Sequence, residues 1–451
     1  MTLLDRPLRE QAAAIARGDA DPAELLDGTL ERIEARNPEL NAIVATFPEQ
    51  SREMLARAPR GPLYGVPVAV KDEWPLPWRA FRFGAAVLFS PSEPGESGPY
   101  RALRDAGAVI VGVANMHEYG AGSTGHISVY GPAHNPWDPS RCPGGSSSGP
   151  GASVAARLVG GAVGADGIGS IRYPAAYCGI TGLKPTFGRS AMEGHPVPGT
   201  TTVVSGPMCA DAADCRLLGS ALFGEELEAG SASGLRIGVV RAPVSEDCQP
   251  EVREACGAAV EALRDETGGE VIDVQIDGLD HFQIASILVG TTEMLDEMSP
   301  QEIASLGEET SLVARGLLKY RMLLSAAAVA RAHRVRTMAR RSLARVFGEV
   351  DVIAWPTVPA PAPPLDNPTV ELPSGLRPAD WANSRAGGIG NLAGVPGISV
   401  PVGLSSEGLP IGLQLLGAWG HDELLLDAAE ALERATGREH VEARPAIAAA
   451  A

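Results

Sequence analysis

The sequence predicts an α/β protein folded as a single large domain around a mixed or largely parallel sheet. Three observations carry this expectation. Short apolar, β-prone runs at 109–114, 235–240, 270–276 and 351–357 alternate with segments of helical period. The length of 451 residues and hydrophobic content of 45% suffice for a sizeable core. Core-like strands also follow the proline-rich stretch 356–377, so that stretch reads as part of the domain and not as a linker to another.

In order, residues 1–60 read as an N-terminal helical region. It holds two helices within 6–36, the second opened by Asp21 as N-cap and Pro22 in its first turn, and stopped at Asn37-Pro38. The 61–190 segment follows. Its run LYGVPVAVK (63–71) is a strand that carries Lys71 to its end, and a helix near 97–106 precedes the strand at 109–114. Prolines at 132, 136, 139 and 143 make 131–151 loop-like, with a helix at 152–159 leaving that loop. Residues 160–170 are glycine-rich, and a short helix starts near Pro174. In 230–350, a helix at 249–265 lies between two strands, and an Arg/Ala-rich helical region covers 311–347. In 351–435, strands at 397–403 and 408–417 precede a helix at 421–435.

Composition excludes several function classes. No apolar run is long enough to span a bilayer, and the N-terminus lacks a basic start followed by an apolar stretch, so a cytoplasmic protein is expected. A net charge of −18 argues against direct nucleic-acid binding, though not against a partner protein that carries nucleic acid. Six scattered cysteines without a CxxC read as packed thiols, and eight histidines without an HExxH give neither a metal site nor a cofactor. Only Lys71, Lys184 and Lys319 among 37 basic residues are lysines. A lysine can be neutralised by burial while arginine cannot, so each is a candidate for a task arginine cannot perform.

Two glycine-rich loops, Gly144 to Gly149 and Gly164 to Ser170, each run into an expected helix. Such loops turn successive N–H groups toward one point, which suits a phosphate or the oxyanion of acyl transfer. No GxxxxGK[ST] is present, and no GxGxxG sits in a strand-turn-helix, which weakens the phosphate reading.

GGSSSG with GSIRYPAAYCGITGLKPT after it and GVPVAVKD before it resembles the amidase signature family. The resemblance extends to the Asn115–Glu118 run, to DVIAWPTVPAPAPP, and to NLAGVPGISVPVG with GLPIGLQLLG. Its NMHEYGAGSTG looks closest to the branch of plant-type fatty acid amide hydrolases. The resemblance implies a central mixed sheet covered by helices on both faces, and a small-molecule amide as substrate. It leaves a homodimer open, since related enzymes are often dimers. At matching positions it implies Ser170 as nucleophile, Ser146 as a bridging serine after a cis peptide, and Lys71 as base. The N–H groups of Gly167, Ile168, Gly169 and Ser170 would form the oxyanion hole, with Ser147 and Asp166 supporting from behind.

That chemistry is coherent. A serine hydroxyl needs a neighbouring base, and a lysine with a solution pKa near ~10.4 serves only where its site depresses it. Protons would run from Ser170 through Ser146 to Lys71, and back to the leaving amine. Taken without the motif, Lys71 would read as an ion-pair partner of Asp72 or Asp166. Lys184 reads as structural, and Cys142 and Cys178 as packed thiols. His117, His126 and His134 receive no role.

The chain departs from the family's usual GTDxGGS, reading GADGIGS instead. Ile168 stands where glycine is common, which would strain the loop if φ were positive there. Trp74, Trp78 and Phe81 are bulky where the family tends to be small, and either shape a pocket or pack into the core. A stand-alone amide hydrolase leads. The alternatives are the A subunit of a tRNA-dependent amidotransferase acting as a glutaminase, and a biosynthetic acyltransferase or non-catalytic binder of an acyl compound.

Overall fold

The computed structural model describes residues 2–88, 92–294, 299–308 and 310–437, so 438–451 of the expected domain lie outside it. The strands in chain order are β1 (Ile43–Thr46), β2 (Pro67–Lys71), β3 (Val109–Ala114), β4 (Gly161–Asp166), β5 (Thr181–Lys184), β6 (Val204–Cys209), β7 (Arg236–Val239), β8 (Glu270–Asp273), β9 (Val352–Pro356), β10 (Thr369–Leu372), β11 (Gly375–Pro378), β12 (Gly397–Leu404) and β13 (Pro410–Gly417). Eleven form one sheet in the order β1-β3-β2-β4-β6-β5-β12-β13-β9-β7-β8, while β10 and β11 pair as a separate hairpin.

The sheet is mixed. Parallel pairing is confined to β3-β2-β4 and β9-β7-β8, and the strands between these groups are antiparallel. A largely parallel sheet is therefore not what forms. Parallel neighbours need a long crossover, but β12 and β13 are joined by a tight turn at Gly408, whose φ is +75°.

The α-helices are α1 (Leu8–Arg17), α2 (Pro22–Leu40), α3 (Pro48–Arg57), α4 (Gly98–Asp105), α5 (Ser148–Ala155), α6 (Arg172–Cys178), α7 (Ala212–Phe223), α8 (Pro250–Thr267), α9 (Leu279–Met294), α10 (Pro300–Ser305), α11 (Leu312–Met322), α12 (Ala326–Val346), α13 (Ala379–Ala393) and α14 (Asp422–Thr436). They cover both faces. On β2, Val68 and Val70 join one core cluster while Ala69 joins the opposite one. On β13, Leu413 and Leu415 face the first cluster and Leu416 a third, built with α9, α12 and α13. This is the two-residue alternation of a sheet buried on both sides. By it, Lys71 shares the face of Ala69.

Three local expectations change. α2 runs through Pro38 and ends a turn later, where Asn41 adopts φ +47° and the Asn37 side chain accepts the N–H groups of Ala42 and Ile43. α5 starts inside the serine run, not at residue 152, so Ser147 occupies its N-cap position. The glycine-rich stretch before Ser170 is strand β4 as far as Asp166, and Gly167 to Ser170 are loop. Its glycines answer to packing: a Cβ on Gly161 would lie 2.7 Å from a Leu8 methyl, and one on Gly164 2.8 Å from the Met208 sulfur.

Candidate active site

Lys71 ends β2, and Ser146 precedes α5 on the neighbouring loop. The Gly145–Ser146 peptide is cis, as the resemblance implies. Lys71 Nζ donates to Ser146 Oγ at 2.9 Å and to the Ala165 carbonyl at 3.5 Å. Burial lowers the proton affinity of Lys71 below the ordinary lysine range, against the opposing charges of Glu73 and Asp166. The acid beside it is neither of the two expected. Glu73 Oε2 lies 3.2 Å from Nζ, while Asp72 binds Arg79 and Tyr130, and Asp166 binds Arg172.

Ser147 fastens the two motif loops together. Its Oγ donates to the Ala165 carbonyl at 3.1 Å and accepts the Ala165 N–H at 3.3 Å, and its own N–H donates to the Ser170 carbonyl. Lys71, Ser146 and Ser170 line one cavity of about 380 Å³.

Asp166, at the end of β4, organises the loop that carries Ser170. It receives Arg172 Nε at 2.9 Å and Nη2 at 3.0 Å. Arg172 spends its remaining donors on Gln414, Asn391 and the Gly387 carbonyl. Burial alone would raise the Asp166 carboxyl, but the Arg172 guanidinium holds it at about 2. This arrangement bears on the expected oxyanion hole. The Gly169 N–H donates to Asp166 Oδ1 at 2.6 Å, so it is not available to an oxyanion. The N–H groups of Gly167, Ile168 and Ser170 have no protein acceptor among the described residues. Sequence reasoning missed Arg172, Asn391 and Gln414 as a unit. The available signal was charged and amide side chains inside otherwise apolar motif segments.

Ile168 is not strained. The positive φ falls on Gly169 (+129°), where a Cβ would collide with the Tyr173 ring. The Tyr173 hydroxyl donates to the Ile168 carbonyl. The Ile168 side chain lies against α9 and α13 at Gly290 and Gly388, where added Cβ atoms would sit 3.3 and 3.5 Å from it. The glycines on the two facing helices make room for the branched side chain.

Of the bulky residues after Lys71, Trp78 packs edge-on against Phe47 and Tyr100, Trp74 is buried against His195, and Phe81 meets Phe83. Trp74 and Phe81 are buried and Trp78 is half-buried against the core, while Phe83 from the same segment lines the cavity with Tyr119, Tyr173 and Trp381. Lys184 is buried outside the cavity lining, pushed down to about 7 by burial and donating to the Pro185 carbonyl. Cys142 and Cys178 also lie outside it, with burial pushing both thiols up. Burial holds His117 at about 4 and His195 at about 3, so both rings are neutral. Glu73 and His195 were also missed: they line the cavity beside Lys71, but nothing in the sequence joins positions so far apart. Among the described residues, no group of three or more His, Cys, Asp and Glu is placed to hold a metal ion. Nor is any helix long and apolar enough to cross a membrane.

The amidase family model matches residues 24–426. The A subunit of the glutamyl-tRNA(Gln) amidotransferase of Geobacter metallireducens is 31% identical over 97% of this chain and 98% of that protein. A crystal structure of an amidase superposes with a TM-score of 0.89 at 32% identity, covering 96% of this chain and 100% of the other. The peptide amidase of Stenotrophomonas maltophilia does so at 0.81 and 26%, covering 96% and 97%. The comparisons do not single out the plant-type fatty acid amide hydrolase branch.

Proposed function

Since the chain belongs to the amidase signature family, we propose that it hydrolyses a carboxylic amide through an acyl-enzyme on Ser170, with Ser146 and Lys71 as the proton relay. The observation that carries this is the 2.9 Å contact between Lys71 Nζ and Ser146 Oγ in a cavity that Ser170 also lines. Ser170 Oγ attacks the carbonyl carbon as its proton passes to Ser146 and on to Lys71. The N–H groups of Gly167, Ile168 and Ser170 receive the developing oxyanion. Lys71 then returns a proton through Ser146 to the leaving nitrogen. Water, activated by the same relay, releases the acid. The protein is proposed to work in the cytoplasm, without metal or cofactor, and without touching nucleic acid itself.

The lining favours an uncharged, apolar amide. Val197, Val203, Ile287, Leu317, Tyr119 and Trp381 give the wall its apolar character, and Lys71 is the one cation among the described lining residues, beside the acids Glu73 and Asp380. A free amino acid such as glutamine presents an α-carboxylate, which calls for a further cation. The second reading is the A subunit of a glutamyl-tRNA(Gln) amidotransferase. The names of the curated relatives support it more directly than they support a stand-alone hydrolase. Ammonia release from a panel of apolar and aryl amides by the isolated chain is the expected outcome. Release from glutamine alone, and only with partner subunits, would replace the first reading with the second. Transfer of the acyl group to an added amine in preference to water would make the protein an acyltransferase. With Ile168 unstrained, the argument for a non-catalytic binder loses its main support.

A further inference from the structure

Glu73 is the acid beside Lys71 in this cavity, and the relay does not use it. The turn after β2 folds it back on Lys71, with its N–H on the Lys71 carbonyl at 2.8 Å. The residue is 2% exposed, Oε2 lies 3.2 Å from Lys71 Nζ, and Oε1 has no hydrogen-bond partner among the described residues. The groups facing the pair offer it little. His195 accepts the Val197 N–H at Nδ1, which leaves its Nε2 side 4.0 Å from Glu73 Oε2, and the ring is neutral. His117 is neutral as well. Asp166 is committed to Arg172, and Asp72 to Arg79 and Tyr130. A carboxylate with one oxygen orphaned in such a site bears a heavy desolvation cost, whereas a neutral acid leaves only an uncharged oxygen unpartnered. A buried ammonium is disfavoured in the same way.

We propose that Glu73 is a positioning residue for the base: it takes the proton that Lys71 must give up, so that the amine is neutral inside the closed site. The transfer breaks an Nζ–H bond and forms an Oε2–H bond, and the net charge of the pair stays zero. The amine turns its lone pair toward Ser146. When Ser170 attacks, Lys71 becomes cationic only as the oxyanion forms, and it is neutral again once the leaving nitrogen is protonated. Glu73 keeps its proton throughout. Burial raises the Glu73 carboxyl above the usual carboxylate range against the lowering effect of Lys71, which agrees with this placement.

The inference rests on the assignment of Lys71 as the base, but its test needs no substrate. With only three lysines in the chain, selective lysine labelling gives three side-chain NMR signals, assigned with Lys71→Met. Infrared difference spectra at neutral pH report a protonated carboxyl. The expected result is a neutral Lys71 amine in wild type, together with a protonated-acid carbonyl band that disappears in Glu73→Gln. Glu73→Met provides the same comparison should the amide fail to fold. A cationic Lys71 at neutral pH, or no band lost in either variant, overturns the proposal. A Ser170 inert to phosphonates would defeat the acyl-enzyme reading separately, while leaving the location of this proton measured.

Discussion

Asp166 and Glu73 are both buried acids whose charges act on Lys71, and the protein treats them in opposite ways. Asp166 accepts from Arg172 and from the Gly169 and Ile171 N–H groups, and its carboxyl is driven down to about 2. Glu73 has one oxygen shared with Lys71, the other without a partner among the described residues, and a carboxyl driven up by burial. The first arrangement is a fully satisfied charge that fixes a loop. The second is a carboxyl whose charge would go largely unsatisfied, which favours its neutral, protonated form. A site of this kind needs a rigid side to hold the nucleophile and an unsettled side to move protons.

The sharpest way to break the rigid side is Arg172→Met. It leaves Asp166 buried without its counter-charge and should cost about 3–5 kcal/mol in chemical denaturation. A variant as stable as wild type would show that Asp166 needs no guanidinium. On the other side, Lys71→Met should lower amide turnover by roughly 10²–10⁴ or more while costing less stability than Arg172→Met, because the Glu73 left behind can stay a neutral acid. Equal damage to stability would erase the contrast between the two acids.

A smaller effect sharpens the picture of the loop between them. Gly290→Val pushes into the Ile168 side chain and should destabilise by about 1–3 kcal/mol, with the double variant Gly290→Val, Ile168→Ala regaining part of the loss. Purely additive effects would mean that the two positions do not share the space. The smallest effect concerns the neutral histidines. His117 and His195 have folded values of about 4 and about 3, against an ordinary 6.5. The unfolded chain therefore takes up protons first. Stability present above pH 6.5 should be lost as the pH falls toward those folded values, by about 1 kcal/mol per histidine one unit below 6.5. Denaturant titrations from pH 7 to pH 5 measure it, and a flat profile would mean that the rings are not held neutral.

Much of this was legible in the sequence. The run 109–114 is strand β3 over its full length, because six apolar residues of mostly β-branched character leave little choice. The two motif loops and Lys71 were readable because their spacing is a family pattern. Strand β4 was not, since GAVGAD has no bulk and reads as loop until Leu8 and Met208 are seen closing over its glycines. Pro38 also misled, because its cost to the helix falls in the last turn, where Asn41 ends α2 in any case. The partners of buried charge were the least visible. Arg172 reaches Gln414 and Asn391 across more than two hundred residues, and Glu73 meets His195 only after folding. Such pairings are tertiary, and no local pattern encodes them.

The central claim is that Ser170 is an activated nucleophile. Intact-mass spectrometry after exposure to a fluorophosphonate, on wild type and Ser170→Ala with peptide mapping, tests it most directly. The account predicts a single adduct on Ser170 that is absent from the variant. A folded wild type that takes up no adduct, or takes it up elsewhere, would contradict it.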